Sequence, residues 1–136
     1  VYGERVRPDM ATHLFTESLL KSGEIKKFGD GETSRDYTHV EDITRGILKC
    51  LDKDFGYEII NLGNNNPVSL NQFIETLERI TGIKAKVATL PKQPGDVEAT
   101  YADISKAKQL LDWEPKIGIR EGMERYVRWY KQFYSS

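Results

Sequence analysis

The sequence predicts an α/β fold with some α+β character, because segments of helical periodicity alternate with short apolar segments typical of strands. Glycines fall at the boundaries between these segments, where they end helices or form turns: Gly23, Gly29, Gly31, Gly63 and Gly82. The chain has 136 residues, of which 38% are hydrophobic. This length and composition fit one domain of ordinary size with a core of its own.

The N-terminal third predicts one helix followed by two strands. The helix begins around Pro8 and ends at Gly23, and it carries apolar residues at helical spacing: Met10, Leu14, Phe15 and Leu19. A short strand is predicted at 25–28, and the glycine turn 29–31 follows it. A second strand is predicted at 35–39, where an arginine and an aromatic residue alternate.

The middle of the chain predicts a helix, a buried strand and another helix. Glu41 and Asp42 suit the first helix's N-terminus, since acidic groups offset the partial positive charge there. Its apolar face consists of Val40, Ile43, Ile47, Leu48 and Leu51. Residues 57–62 are apolar enough for a buried strand. Ser69 and Gln72 then form a capping box that opens an amphipathic helix, which ends at Gly82.

The C-terminal third predicts a strand, an irregular loop and two helices. The strand lies at 85–90, and prolines break the chain after it. A short helix at 105–111 stops before Pro115. The last helix, 120–134, buries a stripe formed by Met123, Tyr126, Val127, Tyr130 and Phe133. Its helical spacing indicates core packing rather than a platform for stacking nucleic-acid bases.

Composition excludes several classes of function. The 20 basic and 21 acidic residues nearly cancel, so the sequence indicates neither a nucleic-acid partner nor a membrane surface. No segment approaches the roughly 18 apolar residues of a membrane span, and charged residues interrupt any signal-like N-terminus. Cys50 is the single cysteine, which excludes an internal disulfide and fits a reducing, cytoplasmic compartment. We interpret Cys50 as a buried structural thiol.

Several catalytic and cofactor motifs are absent. The turn Gly29-x-Gly31-x-x-Ser34 lacks the third glycine of a dinucleotide fingerprint, and no helix follows it directly. None of the seven tyrosines is followed four residues later by a lysine, so the Tyr-x-x-x-Lys pair is missing. The two histidines have no partners at metal-ligand spacing. Three acidic residues could form a catalytic pair but are better interpreted as solvated capping groups: Asp36, Glu41 and Asp42.

Six motifs in this order resemble one enzyme family. They are GDGETSRDYTHVED at 29–42, INLG at 60–63, QPGDV at 93–97, YADISKA at 101–107, LDWEP at 111–115 and IREGM at 119–123. Together they are similar to the extended short-chain dehydrogenase/reductase enzymes that act on nucleotide sugars. The first residues, VYG at 1–3 and RPDMA at 7–11, narrow the resemblance to UDP-glucuronate 4-epimerases.

The resemblance implies that residues 1–136 are a single partial domain, the C-terminal substrate-binding portion of an extended Rossmann-type enzyme. The parent protein would bind NAD in an N-terminal core that this chain lacks, so the chain alone would neither bind NAD nor catalyse epimerisation. In the parent, a tyrosinate would take the C4 hydroxyl proton while NAD⁺ takes the C4 hydride, which later returns to the opposite face. The parent would be a homodimer.

The resemblance also assigns a UDP-binding role to several residues. Arg35 would bind the pyrophosphate, which suits a planar and permanently charged guanidinium, and Tyr37 would face the same side of the strand. Phe28 and the backbone before it would contact the uracil, and Asp96 would accept hydrogen bonds from the ribose hydroxyls. From the residues alone, Arg35 could equally form a salt bridge with a neighbouring acid. For Asp96, the residues alone favour a turn-capping role, and Phe28 could equally lie in the core.

Two further residues, Gln93 and Arg7, are candidates for substrate binding within this resemblance. Gln93 stands where UDP-galactose epimerases carry a phosphate-binding arginine, and it can donate a hydrogen bond but supplies no charge. Arg7 could supply the missing charge or contact the sugar carboxylate, and it could equally be a solvated arginine before Pro8.

Two other functions stay open at this point. The chain could be a non-catalytic nucleotide-sugar-binding or structural module, or part of a sugar-nucleotide dehydratase or decarboxylase. In the family, the strand at 58–62 joins the Rossmann sheet, so the isolated chain would expose unpaired strand edges. We therefore expect it to self-associate or to rearrange locally.

Overall fold

The computed structural model describes residues 1–92 and 94–134. Within these residues, helices and strands follow in the order α1 (Ala11–Lys21), β1 (Glu24–Phe28), β2 (Ser34–Arg35), α2 (Val40–Leu51), β3 (Val68–Ser69), α3 (Leu70–Thr81), β4 (Lys86–Leu90), α4 (Ser105–Leu111) and α5 (Ile119–Tyr134). The predicted α/β class is confirmed. None of the helices in the described ranges is long and apolar enough to cross a bilayer.

The strands form two small sheets. β1 and β4 are parallel, with Ile25 opposite Val87 and Phe28 opposite Leu90. β2 and β3 are antiparallel, with Arg35 opposite Val68. A single parallel bridge between Ser34 and Ala99 adds a third segment on the other side of β2. β2 is short but lies between two neighbours, which fixes its position.

Local sequence signals explain the helix ends. The Ser69 hydroxyl accepts a hydrogen bond from the Gln72 backbone N–H, and the Gln72 side chain accepts one from the Ser69 N–H, so the predicted capping box is confirmed. Gly82 ends α3 with φ of 72°, a left-handed conformation that favours glycine. At the start of α2, the His39 ring accepts a hydrogen bond from the Glu41 N–H.

Two hydrophobic clusters hold the chain together. The larger one joins α1, β1, α3 and α5, and its buried members are Tyr2, Leu19, Ile25, Val68, Phe73, Ile74, Leu77, Met123, Tyr126, Val127 and Tyr130. The smaller one is built on α4 and Trp113, with Cys50 half-buried against it. Of the UDP-binding residues predicted above, Arg35 lies on β2, Phe28 ends β1, and Asp96 lies in the segment after β4.

The predicted strand at 57–62 is wrong. In the described part of the chain no backbone hydrogen bond pairs this segment with a neighbour. Tyr57 and Ile59 are 83% and 69% exposed, and the Ile59 carbonyl instead accepts a hydrogen bond from Lys106 Nζ at 3.0 Å. A strand requires a second strand to pair with, and the described chain offers none here.

Three other predictions need correction. The strand predicted at 35–39 is limited to Ser34–Arg35, after which His39 forms an isolated bridge with Tyr2. The first helix begins at Ala11 rather than at Pro8. Phe133 is exposed because it lies in the last turn of α5, where it stacks on Trp129 with ring centroids 5.2 Å apart.

The apolar face predicted for α2 points mostly to solvent. Val40, Ile47, Leu48 and Leu51 are exposed, and Leu51 is 76% exposed. The helix packs instead through Gly46, where an added Cβ would lie 2.6 Å from a Leu62 methyl group. Gly46 allows Leu62 to approach the helix closely, so α2 packs through this small residue rather than through the apolar stripe.

Candidate functional site

Arg35 is the centre of the candidate site. Its Nη1 donates hydrogen bonds to the carbonyl oxygens of Ser34 and Val97, both at 2.8 Å. Its Nη2 donates to the Asp96 carboxylate in a short ion pair. Both side chains are partly open to solvent, at 32% exposed for Arg35 and 35% for Asp96. The structure thus brings together two of the predicted UDP-binding residues that are 61 positions apart in the sequence.

Backbone pairing explains why these two residues meet. The Ser34 N–H donates to the Glu98 carbonyl at 2.8 Å, and the Thr100 N–H donates to the Ser34 carbonyl at 3.2 Å. Residues 98–100 therefore run beside β2, and Asp96 and Val97 lie next to the Arg35 side chain.

The glycine turn before β2 is fixed against the start of α3. Gly31 has φ of +86°, and a Cβ there would lie 2.1 Å from Asn71 Oδ1. The Asn71 amide donates to the Asp30 carbonyl at 3.1 Å and to the Glu32 carboxylate at 2.7 Å. Lys27 Nζ donates to the Asn71 side-chain oxygen at 3.0 Å. These contacts set the place at which β2 begins, and with it the position of Arg35.

Asp36 is a residue of this site that the sequence reasoning missed. Its carboxylate accepts backbone hydrogen bonds from Asn65 at 3.0 Å, Asn66 at 3.3 Å and Ala102 at 3.1 Å. It therefore joins the asparagine loop and the segment after Asp96 to the residue next to Arg35. The asparagine run was the available signal, because the loop that it forms exposes backbone N–H groups that require acceptors.

Phe28 and Tyr37 lie near the site in different environments. Phe28 is the last residue of β1 and is 41% exposed, so it is not an ordinary core phenylalanine. The Tyr37 ring stacks on Phe73 with centroids 4.9 Å apart and meets the edge of Tyr2. Burial raises the pKa of the Tyr37 hydroxyl, and the charge of Arg35 acts in the opposite direction. The substrate contacts of both residues stay predictions.

Arg7 and Gln93 are not part of the cluster that the structure describes. Arg7 Nη2 lies 3.3 Å from the Asp9 carboxylate, and both side chains are largely exposed. The same nitrogen contacts the Met10 sulfur at 3.5 Å. Gln93 lies outside the described residues. A role for either residue in substrate binding stays a prediction.

The three acidic residues between 36 and 42 do not form a catalytic pair. Glu41 pairs with Arg125 at 2.8 Å on the surface. Asp42 is not solvated, because its side chain is fully buried and accepts hydrogen bonds from the backbone N–H groups of Lys116 and Ile117. The expectation of a solvated cap is therefore wrong for Asp42. None of the three is the ion-pair partner of Arg35, which is Asp96.

The histidines have structural contacts. His13 is buried and shares a hydrogen bond with the Tyr126 hydroxyl at 3.0 Å. His39 is the N-cap residue of α2. Over the described ranges 1–92 and 94–134, no group of three or more histidine, cysteine, aspartate or glutamate side chains could hold a metal ion.

Residues 2–126 match the family model described as GDP-mannose 4,6 dehydratase. The chain belongs to this family. It is therefore a member of the extended short-chain dehydrogenase/reductase enzymes, as the motifs at 29–42 and 101–115 indicated.

Individual relatives agree with this assignment. The chain is 52% identical over 133 residues to a UDP-glucuronate 4-epimerase of Thermodesulfobacterium geofontis, covering 97% of this chain and 41% of that protein. It superimposes with a TM-score of 0.91 and 37% identity on the UDP-glucuronic acid 4-epimerase of Bacillus cereus in complex with UDP-glucuronic acid and NAD, covering 98% of this chain and 43% of that one.

A third relative is named for a different nucleotide sugar. The UDP-glucose 4-epimerase of Thermotoga maritima with UDP-glucose matches with a TM-score of 0.90 and 35% identity, over 96% of this chain and 43% of that one. The chain thus spans less than half of the length of these relatives.

Proposed function

We propose that this chain is the UDP-sugar-binding portion of an NAD-dependent nucleotide-sugar 4-epimerase that acts on UDP-glucuronate. The observation that carries the proposal is the placement of the Arg35 and Asp96 side chains side by side, both partly open to solvent. A guanidinium and a carboxylate are the groups that a diphosphate and a ribose require. The relatives named UDP-glucuronate 4-epimerase support the choice of sugar.

In this proposal the chain holds the UDP end of the substrate. Arg35 donates to the pyrophosphate oxygens, and Asp96 accepts hydrogen bonds from the ribose hydroxyls. Phe28, partly exposed at the end of β1, packs near the uracil. Binding energy from this remote and unreactive part of the substrate positions the sugar for chemistry elsewhere.

The residues of this chain do not fit a complete dinucleotide site. The glycine turn at 29–31 lacks the third glycine and is followed by β2 rather than by a helix, and no Tyr-x-x-x-Lys pair is present. The chain therefore supports substrate holding and none of the NAD-dependent redox chemistry, which we assign to the rest of a longer parent protein. We expect no epimerisation of UDP-glucuronate when this chain and NAD⁺ are mixed.

Chemical-shift mapping with UDP tests the proposed binding role. We expect the amide signals of Arg35 and of residues 95–100 to shift most on titration, because the diphosphate and ribose would contact this cluster. The dissociation constant should be weak, since part of the pocket would be supplied by the parent protein. Uridine is the control, since it lacks the diphosphate and should shift the Arg35 signal much less. Perturbations confined to α4 and α5 would contradict the proposal.

A dehydratase or decarboxylase is the second candidate, and the description of the matching family model favours the dehydratase. The UDP end of the substrate would be held in the same way in all three enzymes. Product analysis with the parent protein and UDP-glucuronate separates them, because an epimerase leaves the mass of the nucleotide sugar unchanged, a dehydratase removes water and a decarboxylase removes carbon dioxide.

We also propose that the isolated chain self-associates through its exposed apolar surface. This surface combines the outer face of α2 with the unpaired segment 57–62, and it includes Ile47, Leu48, Leu51, Tyr57 and Ile59. Exposed apolar side chains next to unpaired backbone groups favour association between chains. Light scattering should give a mass above that of one chain, and this mass should fall towards that of a monomer in a Leu51→Glu, Ile59→Glu variant.

The control is Leu14→Glu, which places one such charge on an exposed leucine of α1, outside the proposed surface, and should leave association unchanged. A monodisperse monomer of the unmodified chain at the concentrations used for spectroscopy would contradict this prediction.

A further inference from the structure

Within the folded chain, the Arg35 guanidinium is already engaged in three hydrogen bonds, to Ser34, Val97 and Asp96. A guanidinium has five N–H donors, arranged so that two of them can bind one anion side by side. The contact with Asp96 uses one terminal nitrogen, Nη2, and the carbonyl contacts use the other, Nη1. A phosphate that binds through Nη1 must replace a carbonyl partner, and one that binds through Nη2 must share that nitrogen with Asp96 or replace it.

The Asp96 carboxylate opposes a phosphate in two ways. It occupies donor capacity of Arg35, and its negative charge lies within hydrogen-bond distance of the guanidinium that the phosphate would approach. Like charges brought together in a partly solvated site cost free energy, and the Coulomb energy of the Arg35–Asp96 pair must be given up as well. A free anion gains Arg35 but leaves the displaced carboxylate with water as its donor in place of a charged partner.

A ribose provides the donors that a displaced Asp96 carboxylate would need. Its hydroxyl groups donate hydrogen bonds, and Asp96 has room to turn towards them, since its side chain is 35% exposed. Gly95, directly before it, has φ of +81°, and no atom lies within 4 Å of the Cβ position there among the described residues. The segment after Asp96 is held to β2 through the Val97 and Glu98 carbonyls, so the side chain can reorient without moving the strand.

We infer that Asp96 determines specificity by holding Arg35 in an ion pair and releasing it only to a diphosphate that carries a ribose. This inference rests on the proposed function, in which Arg35 binds the diphosphate of UDP. It adds that Asp96 weakens the binding of free phosphate and pyrophosphate, which carry no ribose, relative to the binding of UDP. The preference for UDP over pyrophosphate then has two sources: the Asp96 carboxylate, which competes for Arg35, and the contacts with the nucleotide.

Parallel titrations of the 136-residue chain and its Asp96→Asn variant with UDP and with inorganic pyrophosphate, at low ionic strength, test this inference. Removing an ion pair of this exposure should raise the affinity for pyrophosphate about two- to fivefold. The affinity for UDP should fall, because an amide oxygen accepts hydrogen bonds from ribose less strongly than a carboxylate. The ratio of the two affinities should therefore drop by about tenfold or more.

Three comparisons separate the outcomes. Glu75→Gln removes one negative charge from an exposed pair with Arg79 and should leave both affinities unchanged. Asp96→Ala should raise the affinity for pyrophosphate as much as Asp96→Asn does. This agreement would show that the new amide group does not cause the rise. An unchanged pyrophosphate affinity in both Asp96 variants, or an equal rise in Glu75→Gln, would overturn the inference. The proposed function would still stand if Arg35→Ala abolished UDP binding, and it would fail together with the inference if Arg35→Ala bound UDP normally.

Discussion

Replacing Arg35 with alanine is expected to lower the affinity of the chain for UDP by about ten- to a hundredfold. A hydrogen bond to a charged group contributes about 1.5–3 kcal/mol, and the guanidinium would supply at least one such bond to the pyrophosphate. Among the predicted site residues in the described chain, Arg35 is the cation that lies beside Asp96, whereas Arg7 pairs with Asp9 elsewhere. Its removal should therefore leave the diphosphate without its main partner. Calorimetry or chemical-shift titration measures the change.

Two variants test the physical reason for this loss. Arg35→Lys keeps the positive charge but not the planar fork, so it should recover part of the affinity and no more. Arg79→Ala is the matched control, since Arg79 is an exposed arginine of α3 that contacts only Glu75 in the described part of the chain, and it should bind UDP as the unmodified chain does. UDP binding by Arg35→Ala at unchanged affinity would contradict the assignment of the pyrophosphate site.

The sequence predicted the members of this site better than their arrangement. Arg35 and Asp96 were each expected to contact UDP, but not to contact one another. Their pairing depends on residues 98–100 lying beside β2, which is fixed by backbone hydrogen bonds of Ser34 to a segment more than 60 positions away. No local pattern of residue types encodes such a register, so only the three-dimensional structure shows that Asp96 pairs with Arg35.

In the fold as well, elements with local signals were predictable, whereas elements that depend on distant segments were not. Helix α3 carries its own start and stop signals, the Ser69 capping box and Gly82, and both were confirmed. Residues 57–62 have the composition of a strand, but a strand exists only when another backbone pairs with it, and the described chain provides no such partner. The sequence pattern shows that α2 has an apolar face, but most of this face is exposed, because burial depends on which segments pack against the helix.

The acidic residues of the 29–42 motif show a further limit of sequence reasoning. Asp36 and Asp42 look alike in the sequence, as polar residues around the start of α2. In the structure, Asp36 is half-buried and joins two loops next to Arg35, whereas Asp42 is inaccessible to solvent and holds the segment before α5. The difference arises because the two carboxylates face different backbone N–H groups. Those that donate to Asp36 belong to residues 65, 66 and 102, and those that donate to Asp42 belong to residues 116 and 117.

Replacing Asp42 with alanine is expected to destabilise the chain by about 2–5 kcal/mol, because two backbone N–H donors at least partly shielded from solvent lose their acceptor. The Asp42 carboxylate accepts the Lys116 N–H at 3.1 Å and the Ile117 N–H at 2.9 Å, and Arg45 Nη2 lies 2.7 Å from it. Alanine leaves all three donors without this acceptor. A loss of this size is a large fraction of the stability of an ordinary domain.

Chemical denaturation followed by tryptophan emission measures this change, because Trp113 is buried and its indole N–H donates to the Asp42 carbonyl at 3.0 Å. Asp42→Asn keeps one acceptor oxygen and should lose less stability than Asp42→Ala. Glu41→Ala is the matched control: it removes a neighbouring carboxylate of α2 whose pair with Arg125 lies on the surface, where ion pairs contribute little. Equal denaturation midpoints for the Glu41 and Asp42 variants would show that the buried carboxylate does not hold α2 to the segment before α5.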